Sequence, residues 1–169
     1  MTDLYALTRD LHHAAEAHPF MRRMAAARIA PQDWADWLGA MRLLHEAVDP
    51  SMPPVVQRGW PLLHDLIALD PIRPRAVPAA AAFARALAAP ADIAGAAYIL
   101  IGAHFRGGAV MRKRLEPAGL PCAHLRFADP ADVNAFVIAL RSMPQLAPGA
   151  RACFAAITAI ADQIEERAR

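Results

Sequence analysis

The sequence predicts an all-α protein, a bundle of roughly seven or eight helices in one domain that spans residues 1–169. Apolar side chains recur every three or four residues in one segment after another, which is the spacing of amphipathic helices. No run alternates apolar and polar residues over a useful length, so a β-sheet has no support. With 169 residues, 56% of them hydrophobic and 20% charged, the chain can bury one core, and extended disorder is excluded.

Prolines and polar caps mark where the helices of the first half begin. The first helix is predicted over 3–17, because Thr2 or Asp3 can cap it and leucines then follow at helical spacing. Pro19 ends that helix and opens a short one. The same signals predict further helices over 31–48, 60–69 and 79–88.

The stretch 92–115 is helical by pattern but carries glycines inside it. Gly102 and the pair Gly107-Gly108 stand where a buried helix usually has Ala or Leu, and each costs about 1 kcal/mol relative to alanine. Two interpretations are open: a kink that lets the backbone lie against a flat ligand, or a close helix crossing. Further on, an extended link is predicted at 125–127 and helices over 129–140 and 148–164.

Charge and cysteine content narrow the class of protein. Eighteen basic and sixteen acidic side chains give a net charge of +2 and are scattered along the chain, which argues against a nucleic-acid partner. Cys122 and Cys153 belong to no CxxC pair, as expected in a reducing cytoplasm. No signal-peptide pattern is present, and the alanine-rich stretches are broken by Arg, Pro or Asp. We therefore expect a cytoplasmic protein with no membrane segment.

His12 and Glu16 form the most informative pair of polar residues. They are four residues apart and so share one face of the first helix, where the carboxylate can hold one ring nitrogen while the other faces a metal. The alternative is an ordinary solvated pair. His13 lies about 100° further round the helix and is predicted to be a surface residue.

The segment that contains this pair resembles the opening of the haem oxygenases. From Leu4 to Arg22 it reads LYALTRDLHHAAEAHPFMR. In that family a histidine is followed four residues later by glutamate and then by a Phe-Met-Arg-like run. The resemblance implies that His12 is the proximal iron ligand, supported by Glu16, and that Arg9 binds a haem propionate. A solvated surface charge is the alternative for Arg9.

Two later segments are similar to the same family, and the order of helices agrees over essentially the whole chain. The run YILIGAHFRGGAV from Tyr98 is similar to the distal helix, which passes from a tyrosine to a glycine-rich kink over the haem. The run FVIALRSM over 136–143 resembles the helix that supplies a propionate-binding arginine. The resemblance implies that Gly107 and Gly108 pack on the haem, and that Arg141 and Tyr98 bind its propionates.

His104 stands where many members of the family carry an aspartate that orders distal water. It either orders water in the same way, or is a buried histidine bonded to a backbone carbonyl, or binds iron as a sixth ligand. Arg106 is two residues further on and is expected to reach solvent or a carboxylate. The remaining histidines are predicted to be surface residues or hydrogen-bonded core residues: His18, His45, His64 and His124.

The resemblance implies a haem oxygenase, for which haem is both substrate and cofactor. Such an enzyme uses O2 and external electrons to open haem to biliverdin, with release of iron and CO. No flavin or nicotinamide motif is present, so an external electron donor or reductase is the expected partner. The alternatives are a haem carrier or sensor of the same fold without turnover, and a protein of this fold that holds another small ligand. The sequence leaves the oligomeric state open.

Overall fold

A computed structural model describes residues 3–168 and confirms the all-α prediction, since every regular element in that range is helical. The α-helices are α1 (Leu4–Ala17), α2 (Pro19–Ala25), α3 (Pro31–Val48), α4 (Gly59–Ile67), α5 (Pro78–Ala86), α6 (Pro90–Gly102), α7 (Gly108–Leu115), α8 (Pro130–Arg141) and α9 (Ala147–Arg167). A π-helical segment, Ala103–Gly107, joins α6 to α7 without a break and is called the π segment below.

The start of α1 follows the predicted cap. The Asp3 carboxylate accepts a hydrogen bond from the Ala6 N–H at 2.9 Å, while Thr2, the other candidate, lies outside the described residues. Leu4, Thr8 and Ala15 form the buried stripe of the helix. His18 then caps α2 by accepting a hydrogen bond from the Phe20 N–H.

α6 and α9 cross in backbone contact, and small residues make that approach possible. A Cβ added to Gly95 would lie 2.5 Å from the Leu146 carbonyl oxygen, and one added to Gly149 would lie 2.5 Å from Cα of Asp92. Neither glycine tolerates a side chain unless the helices separate. The close crossing proposed for glycines in 92–115 therefore occurs at Gly95, not at the glycines that the sequence singles out.

The rod formed by α6, the π segment and α7 corrects one sequence expectation. By length and composition the helix Pro90–Leu115 is apolar enough to cross a membrane, although charged residues and prolines were expected to interrupt every such stretch. Half of the most apolar stretch of this helix is buried inside the protein, and the helix packs against α3, α8 and α9. Its hydrophobic character is accounted for by this central position in the core.

The neighbours of α1 and α6 define where a site can form. Both helices pack on α9 and both contact α8. The N-terminal part of the core centres on α3, whose Trp34, Leu38 and Leu44 are fully buried against α4, α5 and α6. The two segments that resemble haem oxygenases, α1 and the π segment, therefore have α8 as a common neighbour.

A short turn before α8 differs from the predicted extended link. Leu125 ends a 3₁₀ turn, Ala123–Leu125, and only the residues after it are extended. The turn forms because the buried Asp65 carboxylate of α4 accepts the N–H groups of Ala123 at 2.7 Å and His124 at 2.9 Å. This contact spans more than fifty residues, so local sequence patterns do not reveal it.

Candidate functional site

His12 faces Glu16 on an accessible part of α1, which agrees equally with a supported metal ligand and with an ordinary solvated pair. Its Nδ1 lies 3.5 Å from Oε1 of Glu16, and 43% of its side chain is exposed. The imidazole ring is flanked edge-on by the rings of Tyr5 at 6.1 Å and Phe154 at 5.9 Å between centroids. With Nδ1 turned towards the carboxylate, Nε2 is the nitrogen available to a metal.

Arg141 lies next to Tyr5, and the Tyr5 ring in turn neighbours His12. The Arg141 guanidinium lies 5.0 Å from the centroid of the Tyr5 ring, and its Nε donates to Oδ2 of Asp3 at 2.6 Å. Burial raises the pKa of the half-buried Tyr98 hydroxyl, an effect that the nearby Arg141 charge partly offsets. The Tyr5 ring therefore neighbours both the His12 ring and the Arg141 guanidinium. Arg141 is a cation that could bind a carboxylate of a ligand in place of Asp3.

Arg9 lies exposed on α1, one turn before His12. Its position is compatible with either of its two interpretations, a propionate ligand or a solvated charge. Arg106 is exposed, as expected.

The paired glycines have different environments. A Cβ on Gly107 would meet no heavy atom within 4 Å, so this residue faces open space, as a ligand-facing glycine should. A Cβ on Gly108 would lie 2.8 Å from Cδ2 of Leu125, and the residue is buried. The missing side chain of Gly108 is thus explained by packing against Leu125, which corrects the expectation that both glycines make room for the haem.

His104 points into the protein and is bonded to another side chain. Its Nδ1 is 3.2 Å from Nε2 of His45, and its ring lies 5.1 Å from that of His124. A backbone carbonyl was the partner expected if His104 were a buried histidine. The structure shows the His45 imidazole in that role. Burial, followed by the neighbouring His45, His124 and Arg58, holds the pKa of His104 well below its usual value, so the ring is neutral at pH 7.

Two aspartates that were not among the predicted site residues complete this buried cluster. Asp49 Oδ1 lies 3.0 Å from Nδ1 of His45, and Asp65 Oδ2 lies 2.6 Å from Nδ1 of His124. Of the two alternatives given for His45 and His124, surface residue or hydrogen-bonded core residue, the structure shows the second. The signal for His45 was present, because Asp49 follows it at the same four-residue spacing as Glu16 follows His12.

Two cavities of about 350 and 460 Å³ lie elsewhere on the molecule. The first is lined by residues around Trp60 and the second by residues around Cys122, and neither includes His12 or Gly107. Among residues 3–168 no group of three or more His, Cys, Asp or Glu side chains is arranged to hold a metal ion. The predicted site consists of one candidate axial ligand, His12, beside an open face.

Two solved structures resemble this chain over nearly its whole length. Haem oxygenase-1 from the cyanobacterium Synechocystis, in complex with haem, superposes with a TM-score of 0.83 and 18% identity, covering 97% of this chain and 91% of that one. Haem oxygenase from Leptospira interrogans gives a TM-score of 0.80 at 18% identity, covering 95% of this chain and 97% of that one. The chain has the haem oxygenase fold. No protein-family model and no curated protein sequence matches it.

The residues present in this haem oxygenase fold are compatible with haem. A porphyrin supplies four nitrogens to its iron, so the protein needs to add only an axial ligand. His12 has the exposure and the supporting carboxylate for that role, and Gly107 leaves space on the π segment. Arg141 and Tyr98 provide a cation and a hydroxyl for propionates close to the same ring.

Proposed function

We propose that this protein is a cytoplasmic haem oxygenase that opens haem to biliverdin, iron and CO with O2 and electrons from an external donor. The observation that carries the proposal is the half-exposed His12 imidazole, with Glu16 at its Nδ1 and Tyr5 and Arg141 beside it. The fold shared with two haem oxygenases supports it.

Each residue of the site has a definite part in this proposal. When bound, haem supplies the iron that activates oxygen and the meso carbon that is oxidised. His12 holds the iron through Nε2, and Glu16 keeps the ring in the Nδ1–H tautomer that this requires. Arg141 exchanges Asp3 for a propionate, Tyr98 and Arg9 add polar contacts, and Gly107 allows the backbone of the π segment to lie against the macrocycle. His104, in the π segment, accepts and releases protons during turnover.

The first test is the replacement of the proposed iron ligand. His12→Ala should change the Soret spectrum of the one-to-one haem complex by removing the axial nitrogen, and added imidazole should restore it. The matched control is His13→Ala, which removes the neighbouring exposed histidine of α1 and should leave the spectrum unchanged. An unaltered Soret band in His12→Ala would refute the assignment of His12.

The second candidate function is a haem carrier or sensor without turnover, favoured by the histidine cluster that holds His104 in the protein interior. Aerobic reduction of the haem complex with ascorbate separates the two functions. An oxygenase should lose its Soret band and develop biliverdin absorption, whereas a carrier should retain the Soret band. Failure to bind haem at all would favour a different small ligand.

A further inference from the structure

Three buried histidines lie close together on the inner side of the π segment. They are far apart in the sequence, so no local sequence pattern connects them. His104 comes from the π segment, His45 from α3 and His124 from the turn before α8. The rings of His45 and His104 are stacked at 5.0 Å and 18°, and the ring of His124 meets that of His104 edge-on. The function proposed above uses only His104 of this group.

Asp49 anchors one end of the cluster. Its Oδ1 faces Nδ1 of His45 at 3.0 Å, while its Oδ2 accepts the N–H groups of Arg58 at 2.8 Å and Gly59 at 2.7 Å. An ionised carboxylate only accepts hydrogen bonds, so Nδ1 of His45 must carry the proton between them. The backbone contacts fix the carboxylate in place and leave it no other orientation.

The tautomers of both histidines then follow from the hydrogen bonds. A neutral imidazole carries one N–H, so Nε2 of His45 has a lone pair and accepts from Nδ1–H of His104 at 3.2 Å. Nε2 of His104 is therefore unprotonated. His45 is fully buried, and a charged imidazole there would carry the desolvation cost of a buried cation.

We propose that Asp49 and His45 are positioning residues that hold His104 as its Nδ1–H tautomer, so that Nε2 is the proton acceptor of the π segment. Use of this acceptor in turnover rests on the function proposed above, whereas the tautomers are a property of the chain without haem. The aspartate that many haem oxygenases carry at this position is then replaced by a relay of three side chains.

The relay moves a proton without leaving a charge on a buried ring. As Nε2 of His104 takes a proton from a bound water molecule, its Nδ1 proton passes to Nε2 of His45, and the Nδ1 proton of His45 passes to Oδ1 of Asp49. The net result is one proton moved from the water to Asp49, and the reverse sequence returns it. The neutral state of His104 at pH 7 agrees with such a transfer, as does the π-helical geometry, which is common at functional sites.

The tautomers are tested by ¹⁵N NMR of the imidazole nitrogens in the haem-free chain. We expect Nδ1–H and a bare Nε2 for both His45 and His104. A doubly protonated His45, or an Nε2–H at His104, would overturn the proposal in the wild-type protein, before any variant is made.

Asp49→Asn gives the sharper test because the backbone dictates how its amide must lie. The amide oxygen is needed by the N–H groups of Arg58 and Gly59, so the NH2 group faces Nδ1 of His45. Both histidines should then switch to Nε2–H. The matched control is Asp162→Asn, which alters the exposed Asp162 carboxylate, 3.0 Å from Nε2 of His18, and should leave His45 and His104 as in the wild type. Unchanged tautomers in Asp49→Asn would contradict the relay.

Turnover separates this inference from the proposed function. In Asp49→Asn, haem binding and the Soret band should match the wild type while ring opening slows by about 10²-fold, the low end of acid–base contributions. Inverted tautomers with an unchanged ring-opening rate would refute the relay and leave the proposed function intact. A wild-type protein that binds haem but never opens it would refute the proposed function and the use of the relay in turnover, while NMR still decides the tautomers.

Discussion

Gly107 and Gly108 are adjacent in the chain, but the absence of a side chain matters for a different reason at each. Gly107 borders open space on the side of the π segment away from the core, whereas Gly108 admits the side chain of Leu125 from the turn before α8. Alanine at either position keeps helical backbone geometry, since both residues have right-handed helical dihedrals. The two positions therefore allow ligand contact and internal packing to be measured separately.

Alanine substitutions at these glycines should have opposite effects on stability. Gly108→Ala should lower the free energy of unfolding by about 1–3 kcal/mol, because its Cβ overlaps Leu125. Gly107→Ala should raise it by up to about 1 kcal/mol, since alanine is the better helix former. Urea denaturation measures both.

Haem titration supplies the second half of that comparison. Gly107→Ala should weaken haem binding by placing a methyl group on the ligand-facing side, while Gly108→Ala should keep its affinity as far as the protein stays folded. Equal haem affinity in Gly107→Ala and the wild type would show that this glycine does not contact the macrocycle.

At the scale of single residues, the sequence predicts contacts between residues that are close in the chain and does not predict contacts between residues that are far apart in it. His12 and Glu16 could be paired from their spacing because a helix fixes it. His45 and Asp49 have the same spacing. His45 lies four residues after Met41 and three before Val48, on the apolar face of α3, which indicates that its side chain turns inward. The contact of His45 with His104 joins residues 59 positions apart and depends on how α3 packs against the rod of α6 and α7.

The helices themselves are well predicted, because their starts carry local signals. Proline occupies the first turn of α2, α3, α5, α6 and α8, where its missing N–H costs nothing. What the pattern could not reveal is which glycine of 92–115 lies at a helix crossing. Gly95 and Gly102 look alike in sequence, but only Gly95 meets the backbone of α9.

Gly95→Ala should therefore be strongly destabilising. Its Cβ would lie 2.5 Å from the Leu146 carbonyl oxygen and 2.6 Å from the Ala150 nitrogen, and backbone atoms cannot move aside as a side chain can. We expect a loss of about 3 kcal/mol or more, the upper range for overpacking, and a fall in Tm of about 2–4 °C per kcal/mol.

Gly102→Ala is the matched control within the same helix. Its Cβ would make an ordinary 4.0 Å contact with Val137, so stability should stay the same or rise. Thermal unfolding of the two variants side by side checks both expectations, and similar Tm values would contradict the backbone crossing.

For the whole molecule, the buried histidines should govern stability on mild acidification. Burial lowers the pKa of His104, and it also lowers the pKa of His124 despite the opposing hydrogen bond to Asp65. In the unfolded chain these histidines take up protons near the ordinary histidine pKa of 6.5, whereas the folded protein resists their protonation. Stability is thus complete above that pH and is lost as the pH falls below it.

Urea unfolding between about pH 7.5 and 5.5 should show this loss, with a slope approaching about 1.4 kcal/mol per pH unit for each histidine. His104→Gln removes one of the two groups and should reduce the slope by about half, whatever its effect on stability at pH 7.5. A free energy of unfolding that is constant over this range would contradict the buried neutral histidines.

The overall arrangement was predictable only in outline. Helical periodicity indicates the class, and resemblance in the α1 and π-segment sequences indicates the family of folds. The common packing of α1 and α6 against α9 and α8 is a property of the assembled bundle. The contact of α1 with α8 is also what brings Tyr5 next to Arg141.

The backbone contact at Gly95 and Gly149 makes the two walls of the candidate site mechanically unequal. α6 is pressed against α9 and has no room to shift towards it, whereas α1 is joined to α9 by side chains, among them the exposed Arg151 bound to Asp10. A widening of the space between these helices would therefore displace α1 more readily than α6. Under the function proposed above His12 would move with α1, and the rate of haem capture would then increase with ionic strength, which weakens exposed ion pairs such as Arg151–Asp10.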